Sequence, residues 1–356
     1  MDIQVAQEHK DIILDWYEND PTRVLIVSGA AGCGKTTLIR KIPSILNLRG
    51  KIAFLAPTGK AAKVIGSHGR TIHSFMYIPV VDTNTGQVKE WIPRVAEEFE
   101  DYDLLIVDEV SMVNDEMMND LKSLGIPIIG SGDPFQLPPV NGTNEILQDA
   151  DIMLLKVWRN DGGVLALATD IRKRNRIKWS TYDNVSINFL GIGKDYDKID
   201  ENSIIICKFN NTRKQINHEY RKKILGHKLI LEPGEKLMIT KNNKISGLRN
   251  GSIVTLLKTV TVNKKYLTGI IEVEDDEGLK YQIEMNFDQV MLREERTFKN
   301  PKMHYMDYAY AITCHKAQGS EYDKVFVVNE GKGFSNHRSW LYTAVTRAKK
   351  EVHVYN

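Results

Sequence analysis

The sequence predicts an α/β protein with two parallel-sheet lobes, each of which carries a small β insertion. Three observations carry this prediction. A glycine-rich turn at 29–37 lies between an apolar strand and a helical stretch. Continuous apolar runs then alternate with helical segments, which is typical of a parallel sheet covered on both faces. Two stretches of extended, non-helical character interrupt this pattern, one in each half of the chain.

The first lobe is predicted over residues 1–76 and 94–150. Its strands are the apolar runs at 24–27, 52–56, 104–107 and 126–130. Helical spacing of apolar residues follows the glycine-rich turn and recurs at 58–65. Residues 77–93 hold a turn at 83–86 between two extended runs, which predicts an inserted β-hairpin.

The second lobe is predicted over residues 151–230 and 299–356. Its strands are the runs at 152–155, 203–207, 324–328 and 351–355, and a helix is expected at 210–225. Between these parts, residues 231–298 contain alternating runs at 253–257, 269–273 and 279–283. A turn at 275–278 lies between the last two of these runs. These alternating runs and the turn between them predict a small inserted antiparallel β module.

Composition describes an ordinary globular chain, expected to be soluble and cytoplasmic. Its 356 residues suffice for two or three domains with apolar cores. The net charge of +2 neither demands nor excludes a polyanionic partner, so any nucleic-acid surface must be a local patch. Cys33, Cys207 and Cys314 lack the spacing of a zinc or disulfide framework and are expected to be reduced. Because the sequence has no apolar run of about 18 residues and starts with an acidic, amphipathic segment, we expect neither a membrane span nor a signal peptide.

The glycine-rich turn has the residue spacing of a P-loop. Backbone N–H groups of such a turn surround a polyphosphate, and the following helix adds the positive end of its dipole. We expect Lys35 to contact the outer phosphates and the hydroxyl of Thr36 to hold Mg²⁺. The predicted nucleotide-binding residues of this loop are Gly29, Ala30, Ala31, Gly32, Cys33, Gly34, Lys35, Thr36 and Thr37. The sequence therefore predicts binding of a nucleoside triphosphate.

Two further loops are expected at the same edge of the first sheet. Asp108 and Glu109 follow the strand at 104–107, and ligands of such sheets bind where the parallel strands end. Asp108 is a candidate Mg²⁺ ligand, and Glu109 is a candidate to orient or deprotonate the attacking water. Gln136, in the glycine- and proline-rich loop 130–140, is a candidate sensor of the γ-phosphate or of that water.

Taken together, these segments resemble the motifs of superfamily 1B (RecD-like) DNA helicases, including Dda-like phage helicases. GAAGCGKTT, LAPTGKAAKVI with TIHSF, LLIVDEVSMV and GSGDPFQLPPV are similar to motifs I, Ia, Ib, II and III. LLKVWRN, YAITCHKAQGSEYDKVFVV and LYTAVTRAKKEVHVY are similar to motifs IV, V and VI. The resemblance covers nearly the whole chain. It implies two RecA-like P-loop NTPase domains with ATP between them, an SH3-like barrel as the second insertion, and 5′-to-3′ movement on single-stranded DNA.

The resemblance also implies roles for single residues. Lys35, Asp108, Glu109 and Gln136 keep the catalytic roles given above. Arg159 of motif IV and Arg347 of motif VI would reach ATP from the second lobe and stabilise charge on the transferring phosphoryl group. Gln7 would contact the adenine edge, and Gly319 is a candidate both for the nucleotide and for the phosphates of the DNA strand.

Two sets of side chains are predicted to bind the phosphates of a single strand, since hydroxyl, amide and ammonium donors suit phosphate oxygens. The first-lobe set is Thr58, Lys60, Lys63, Thr71, His73 and Ser74; the second-lobe set is Thr313, His315, Lys316 and Gln318. Phe75 is open between base stacking and core packing, and His315 between DNA contact and a structural role. The hairpin lies where the family carries a strand-separating wedge. Its residues Tyr77 and Trp91 could stack on the base pair at the junction. Basic clusters at 172–178 and 221–223 are more typical of a solvated face.

The sequence thus predicts an ATP-dependent DNA helicase that uses Mg²⁺. Two other functions stay open: a single-strand-stimulated translocase that displaces proteins without unwinding, and a nucleotide-switched DNA-binding clamp. The expected partners are single-stranded and forked duplex DNA, with a single-strand-binding protein or replication proteins as further candidates. We expect a monomer that does not bind membranes.

Overall fold

The computed structural model describes residues 5–66, 68–81, 88–139, 147, 149–156, 162–175, 177, 182–227, 231–240, 248, 250–262, 266–274, 280–288 and 305–356. The α-helices are α1 (Gln7–Asn19), α2 (Lys35–Ile45), α3 (Gly59–Ile65), α4 (Ile72–Met76), α5 (Asp115–Lys122), α6 (Gly163–Lys173), α7 (Asn210–Tyr220), α8 (Cys314–Ala317) and α9 (His337–Val345). Short 3₁₀ helices lie at Ala96–Phe99, Val110–Met112, Ile192–Lys194 and Tyr196–Lys198, and a π-helical turn, Arg221–Leu225, continues α7. No helix in these ranges is long and apolar enough to cross a membrane.

Within the described ranges, the strands form three larger sheets and one hairpin. They are β1 (Leu25–Gly29), β2 (Lys51–Ala56), β3 (Gly69–Thr71), β4 (Tyr77–Val81), β5 (Val88–Pro93), β6 (Tyr102–Val107), β7 (Ile128–Gly132), β8 (Ile152–Leu154), β9 (Val185–Asn188), β10 (Ser203–Cys207), β11 (Lys236–Ile239), β12 (Ile253–Val262), β13 (Tyr266–Glu274), β14 (Lys280–Asp288), β15 (Met306–Tyr308), β16 (Ala311–Thr313), β17 (Tyr322–Val328) and β18 (Ala348–Tyr355).

The first lobe is a six-stranded parallel sheet in the order β3-β2-β6-β7-β1-β8. Every residue of β1 and β7 is buried, as the continuous apolar runs predict. Ile13 and Trp16 of α1 and Ile39 of α2 pack on one face of the sheet, and Ile72 and Leu121 pack on the other. The ends of β1, β6 and β7 therefore meet at one edge, where the predicted phosphate-binding loops begin.

The assignment of residues 152–155 to the second lobe is wrong. Ile152–Leu154 pairs in parallel with β1 and forms the edge of the first sheet. Asp151 fixes this strand, since its carboxylate accepts a hydrogen bond from the Ile26 N–H at 2.7 Å and pairs with Arg23 at 2.6 Å. A short apolar run indicates a buried strand, but its pairing partner is set by contacts distant in sequence.

The second lobe is a five-stranded parallel sheet in the order β16-β10-β17-β18-β9. Leu167 of α6 and Trp340 of α9 belong to the apolar core on one face. Ile216 and Tyr220 of α7 belong to the core on the other face. The two parallel-sheet lobes confirm the predicted α/β class.

Both insertions contain β structure of the predicted kind. β4 and β5 form an antiparallel hairpin, whose turn at 82–87 lies outside the described residues. The second insertion is an antiparallel sheet in the order β14-β13-β12-β11-β15. This sheet extends past the predicted end at residue 298, because β15 pairs with β11. Closure into an SH3-like barrel stays a prediction.

Candidate nucleotide site and nucleic-acid interface

The P-loop connects β1 to α2 and has the backbone that a phosphate-binding turn needs. Gly32 and Gly34 have φ angles of 77° and 92°, in the left-handed region that favours glycine. The ammonium group of Lys35 folds back over the loop and donates to the carbonyl oxygens of Gly29 at 2.8 Å and Ala30 at 3.0 Å. The loop thus presents backbone N–H groups, a helix N-terminus and one ammonium group to the same region.

The predicted Mg²⁺ ligands lie in contact. Asp108 is buried at the end of β6, and its carboxylate accepts a hydrogen bond from the Thr36 hydroxyl at 3.0 Å. The Ser131 hydroxyl and the Glu109 N–H also donate to this carboxylate. Mg²⁺ prefers one or two carboxylates together with substrate phosphates and water. The pair fits that ion, and the described residues contain no cluster of three His, Cys, Asp or Glu that would hold a metal by itself.

Glu109 and Gln136 direct buried polar atoms into the same site. Neither Glu109 Oε2 nor Gln136 Oε1 makes a hydrogen bond to any described residue. Burial and the neighbouring Asp108 raise the pKa of Glu109, while the charges of Arg347 and Lys35 oppose that rise. Since buried polar side chains normally have partners, these two oxygens fit a polar ligand and its attacking water.

The second lobe contributes directly to this site through α9 and the residues after it. The guanidinium group of Arg347 is buried and donates to the carbonyl oxygens of Thr343 at 3.1 Å and Ser320 at 3.4 Å. Its charge acts on Glu109 and opposes the rise in the pKa of that carboxyl group. The predicted second arginine, Arg159, lies outside the described residues.

Sequence reasoning missed Tyr342, which connects the two lobes at the nucleotide site. Its hydroxyl donates to the Asp133 carboxylate at 2.8 Å and accepts from the Ala31 N–H of the P-loop at 3.3 Å. One helical position later, the Thr343 hydroxyl accepts from the Leu137 N–H at 2.9 Å. The available signal was the motif VI segment, LYTAVTR, in which Tyr342 precedes Arg347 by five residues.

Two predicted nucleotide contacts differ in the structure. The side-chain amide of Gln7 donates to Asp11 at 2.8 Å on the exposed face of α1. A cavity of about 230 Å³ beside the P-loop is lined instead by residues that include Ala6, His9 and Cys33. Gly319 has a φ of 72° and lies against α3, where a Cβ would come within 3.4 Å of Ala61. Gly319 is therefore an interlobe contact next to the channel described below, and its positive φ is what favours glycine at this position.

The two predicted DNA-binding sets line one channel. A cavity of about 580 Å³ lies between the lobes and the β module, and most of the predicted residues face it. Its lining includes Thr58, Lys60, Thr71, His73, Ser74, His315, Lys316 and Gln318, together with Arg70 and Asn250, which the sequence did not single out. Thr313 lines an adjoining cavity that shares Lys316. Lys63 lines neither of these cavities.

The channel concentrates positive charge. Burial and the nearby ammonium group of Lys316 lower the pKa of Lys60 to about 8. Burial also lowers the pKa of Lys316, whose ammonium group donates to Asn250 of the β module at 3.2 Å. Ammonium groups that repel each other in a partly desolvated groove favour an anion between them. The wall therefore suits a phosphate backbone.

Of the two roles left open for Phe75, base stacking and core packing, the structure shows core packing. Its side chain is 1% exposed and packs on Phe99, with ring centroids 5.0 Å apart, and on Tyr102 at 5.2 Å. Phe75 is a core residue, because this position of α4 faces the sheet. The solvated-face interpretation is wrong for Arg221, which is buried in an ion pair with Glu235.

The hairpin is attached to the wall of the channel. The ring of His73 lies 5.1 Å from that of Tyr77 and meets Trp91 edge-on at 5.2 Å. The Tyr77 hydroxyl bonds to Asp120 of α5, while Trp91 remains 43% exposed. Trp91 therefore presents an exposed aromatic surface beside His73, a residue of the channel.

Two family models match separate parts of the chain. One, described as an AAA domain, matches residues 14–176, and the other, described as a UvrD-like helicase C-terminal domain, matches residues 308–355. The ATP-dependent RecD2 DNA helicase of Deinococcus radiodurans is 26% identical over 92% of this chain and 46% of its own length. The ATP-dependent DNA helicase Pif1 of Bdellovibrio bacteriovorus is 24% identical over 85% of this chain and 77% of its own length. The chain thus spans about half the length of the RecD2 relative.

Solved structures share the fold of the chain. The Pif1 helicase of Candida albicans superposes with a TM-score of 0.64 at 19% identity, covering 99% of this chain and 95% of that one. A Bacteroides Pif1 in complex with ADP-AlF3 and single-stranded DNA gives a TM-score of 0.61 at 21% identity, covering 99% and 92%. Motifs, family models and fold agree in their similarity to the Pif1/RecD-like helicases of superfamily 1.

Proposed function

We propose that the chain is an ATP-dependent DNA helicase that hydrolyses ATP between its lobes, moves 5′ to 3′ on single-stranded DNA and separates forked duplexes. The observation that carries this proposal is that both lobes build both sites. Tyr342 and Arg347 of the second lobe meet the P-loop side, and Lys316 of the same lobe faces Lys60 across the channel. Movement of one lobe relative to the other would therefore change the nucleotide site and the contacts with the DNA strand at the same time.

The residues of the nucleotide site have the chemistry of phosphoryl transfer to water. Lys35 and Arg347 bring positive charge to the phosphates, where charge develops in the transition state. Glu109, whose pKa is raised, is suited to accept a proton from the attacking water, and Gln136 would orient that water or the γ-phosphate. Thr36 and Asp108 would hold Mg²⁺, which neutralises phosphate charge when bound.

The channel would supply the contacts with the DNA backbone that translocation needs. Contacts from Lys60, Lys316 and hydroxyl groups to phosphate oxygens carry no sequence information, which suits a protein that moves over any sequence. The names of the Pif1 and RecD2 relatives, and the Bacteroides Pif1 bound to single-stranded DNA, support DNA as the polymer.

Unwinding of duplexes with a 5′ or a 3′ single-stranded tail, with ATP and Mg²⁺, tests the proposal. We expect strand separation only from the 5′ tail, and none with Lys35→Ala, whose folding is checked by circular dichroism. Unwinding from the 3′ tail would contradict the polarity. ATP hydrolysis stimulated by single strands without unwinding would favour the protein-displacing translocase. Slow hydrolysis that ignores DNA would favour the nucleotide-switched clamp.

A further inference from the structure

Two exposed phenylalanines form a pair on the second lobe that the functions above do not use. Phe209 follows β10 and Phe334 follows β17, and their ring centroids are 5.8 Å apart at an angle of 59°. They are 39% and 57% exposed. The ammonium group of Lys208 lies 4.6 Å from the centroid of the Phe334 ring, so the pair presents aromatic faces beside a cation. We call Lys208, Phe209 and Phe334 the aromatic platform.

The platform continues the channel along the edge of the second sheet. Cys207, the last residue of β10, pairs with Thr313, the last residue of β16, so Lys208 leaves the sheet one strand from the channel residues. The charge of Lys208 acts on His315, which lines the channel. Between them, the adjoining cavity is lined by Thr313 and Lys316 and also by Asn210, the residue after Phe209.

The backbone holds the platform in place. The Glu330 carboxylate accepts hydrogen bonds from the N–H groups of Lys208 at 2.7 Å and Phe209 at 2.8 Å, and from the Thr212 hydroxyl at 2.7 Å. Lys208 also donates to Asn336 at 2.9 Å. These bonds tie the loop after β10 to the segment that carries Phe334. The two loops that carry the rings are thus held next to each other.

We propose that the aromatic platform stacks bases of single-stranded DNA where the strand passes out of the channel, while Lys208 contacts a neighbouring phosphate. The proposal rests on the proposed function, because it takes the channel as the path of the strand. A nucleotide joins an aromatic base to a phosphate, and the platform offers rings beside an ammonium group to match them. Stacking is tolerant of sequence, as a translocating enzyme requires.

Binding of fluorescent oligo-dT to the full chain, followed by anisotropy, tests the platform. We expect Phe334→Ala to raise the dissociation constant about 5- to 10-fold. This is the low end of the range for loss of one stacked base, because the ring is partly solvated. Phe334→Trp should bind as tightly as the unchanged protein. Lys208→Ala should reduce the slope of log affinity against log salt by about 0.7, the value for one single-strand phosphate contact. The matched control is Phe189→Ala: Phe189 is 76% exposed and follows β9 at the other edge of the same sheet.

Oligonucleotides with one abasic site, moved along the strand, distinguish stacking from a structural role. We expect one position at which the abasic site weakens binding to the unchanged protein but adds no further loss in Phe334→Ala. An abasic penalty that persists in Phe334→Ala at every position would overturn the platform. So would unchanged oligo-dT affinity of Phe334→Ala, the result expected if the rings instead dock another protein. If the unchanged protein itself fails to bind oligo-dT, the proposed function fails as well, so the two failures are distinguishable.

Discussion

Replacing Tyr342 by Phe removes one hydroxyl that joins the two lobes at the nucleotide site. The hydroxyl donates to Asp133 at 2.8 Å and accepts from Ala31 at 3.3 Å. Burial and Asp133 raise the pKa of Tyr342, so the phenol stays protonated and remains a donor. The ring keeps its packing in the variant, and only the two hydrogen bonds are lost.

The expected loss follows from what remains around Asp133. Its carboxylate is fully buried, and its remaining contacts in the described chain include the Phe135 N–H at 3.0 Å and the Gln136 amide at 3.5 Å. A hydrogen bond to a charged group contributes about 1.5–3 kcal/mol, and the longer Ala31 bond contributes less. A loss of about 2 kcal/mol in the closed, catalytic arrangement corresponds to about 30-fold in kcat/KM.

The assay is ATP hydrolysis stimulated by single-stranded DNA, with thermal unfolding measured in parallel. Tyr355→Phe is the matched control, because the Tyr355 hydroxyl also donates to an aspartate, Asp195, at 2.8 Å, but within the second lobe. Both variants should lose a similar free energy of unfolding, and only Tyr342→Phe should lose turnover. Hydrolysis by Tyr342→Phe within about twofold of Tyr355→Phe would refute the argument that this hydroxyl couples the lobes.

Two further predictions concern the channel and the hairpin. Because the pKa of Lys60 is about 8, its ammonium group is mostly neutral by about pH 9, and affinity for oligo-dT should fall about tenfold between about pH 7 and pH 9. Lys60→Arg, which stays charged, should flatten that profile, and an equally steep profile in this variant would contradict the role of Lys60. Trp91→Ala should slow unwinding about fivefold or more, as expected for one lost stacking contact, while single-strand-stimulated ATP hydrolysis stays unchanged. Ile92→Ala, at the neighbouring exposed position on the opposite face of β5, is its control, and equal unwinding by both variants would show that Trp91 does not meet the junction.

Local sequence determined the class of the fold and most of the chemistry. Continuous apolar runs predicted the buried strands β1, β6 and β7, because strands covered on both faces need no polar alternation. Asp108 and Glu109 were predicted at the nucleotide because they follow one of these strands directly. Such features depend on neighbours within about ten residues, so they can be predicted from local sequence.

Contacts between distant segments decided the rest. Ile152–Leu154 belongs to the first sheet and Arg221 is buried against Glu235, whereas the local sequence favoured the second lobe and a solvated face. Phe75 lies in the core, which the local sequence had left open. Tyr342 meets Ala31 across 311 residues of chain, and no local pattern encodes that meeting. The sequence by itself therefore predicted a P-loop and its role in nucleotide binding. Only the tertiary structure decided that residues of the second lobe contact this loop, because that depends on which surfaces pack together.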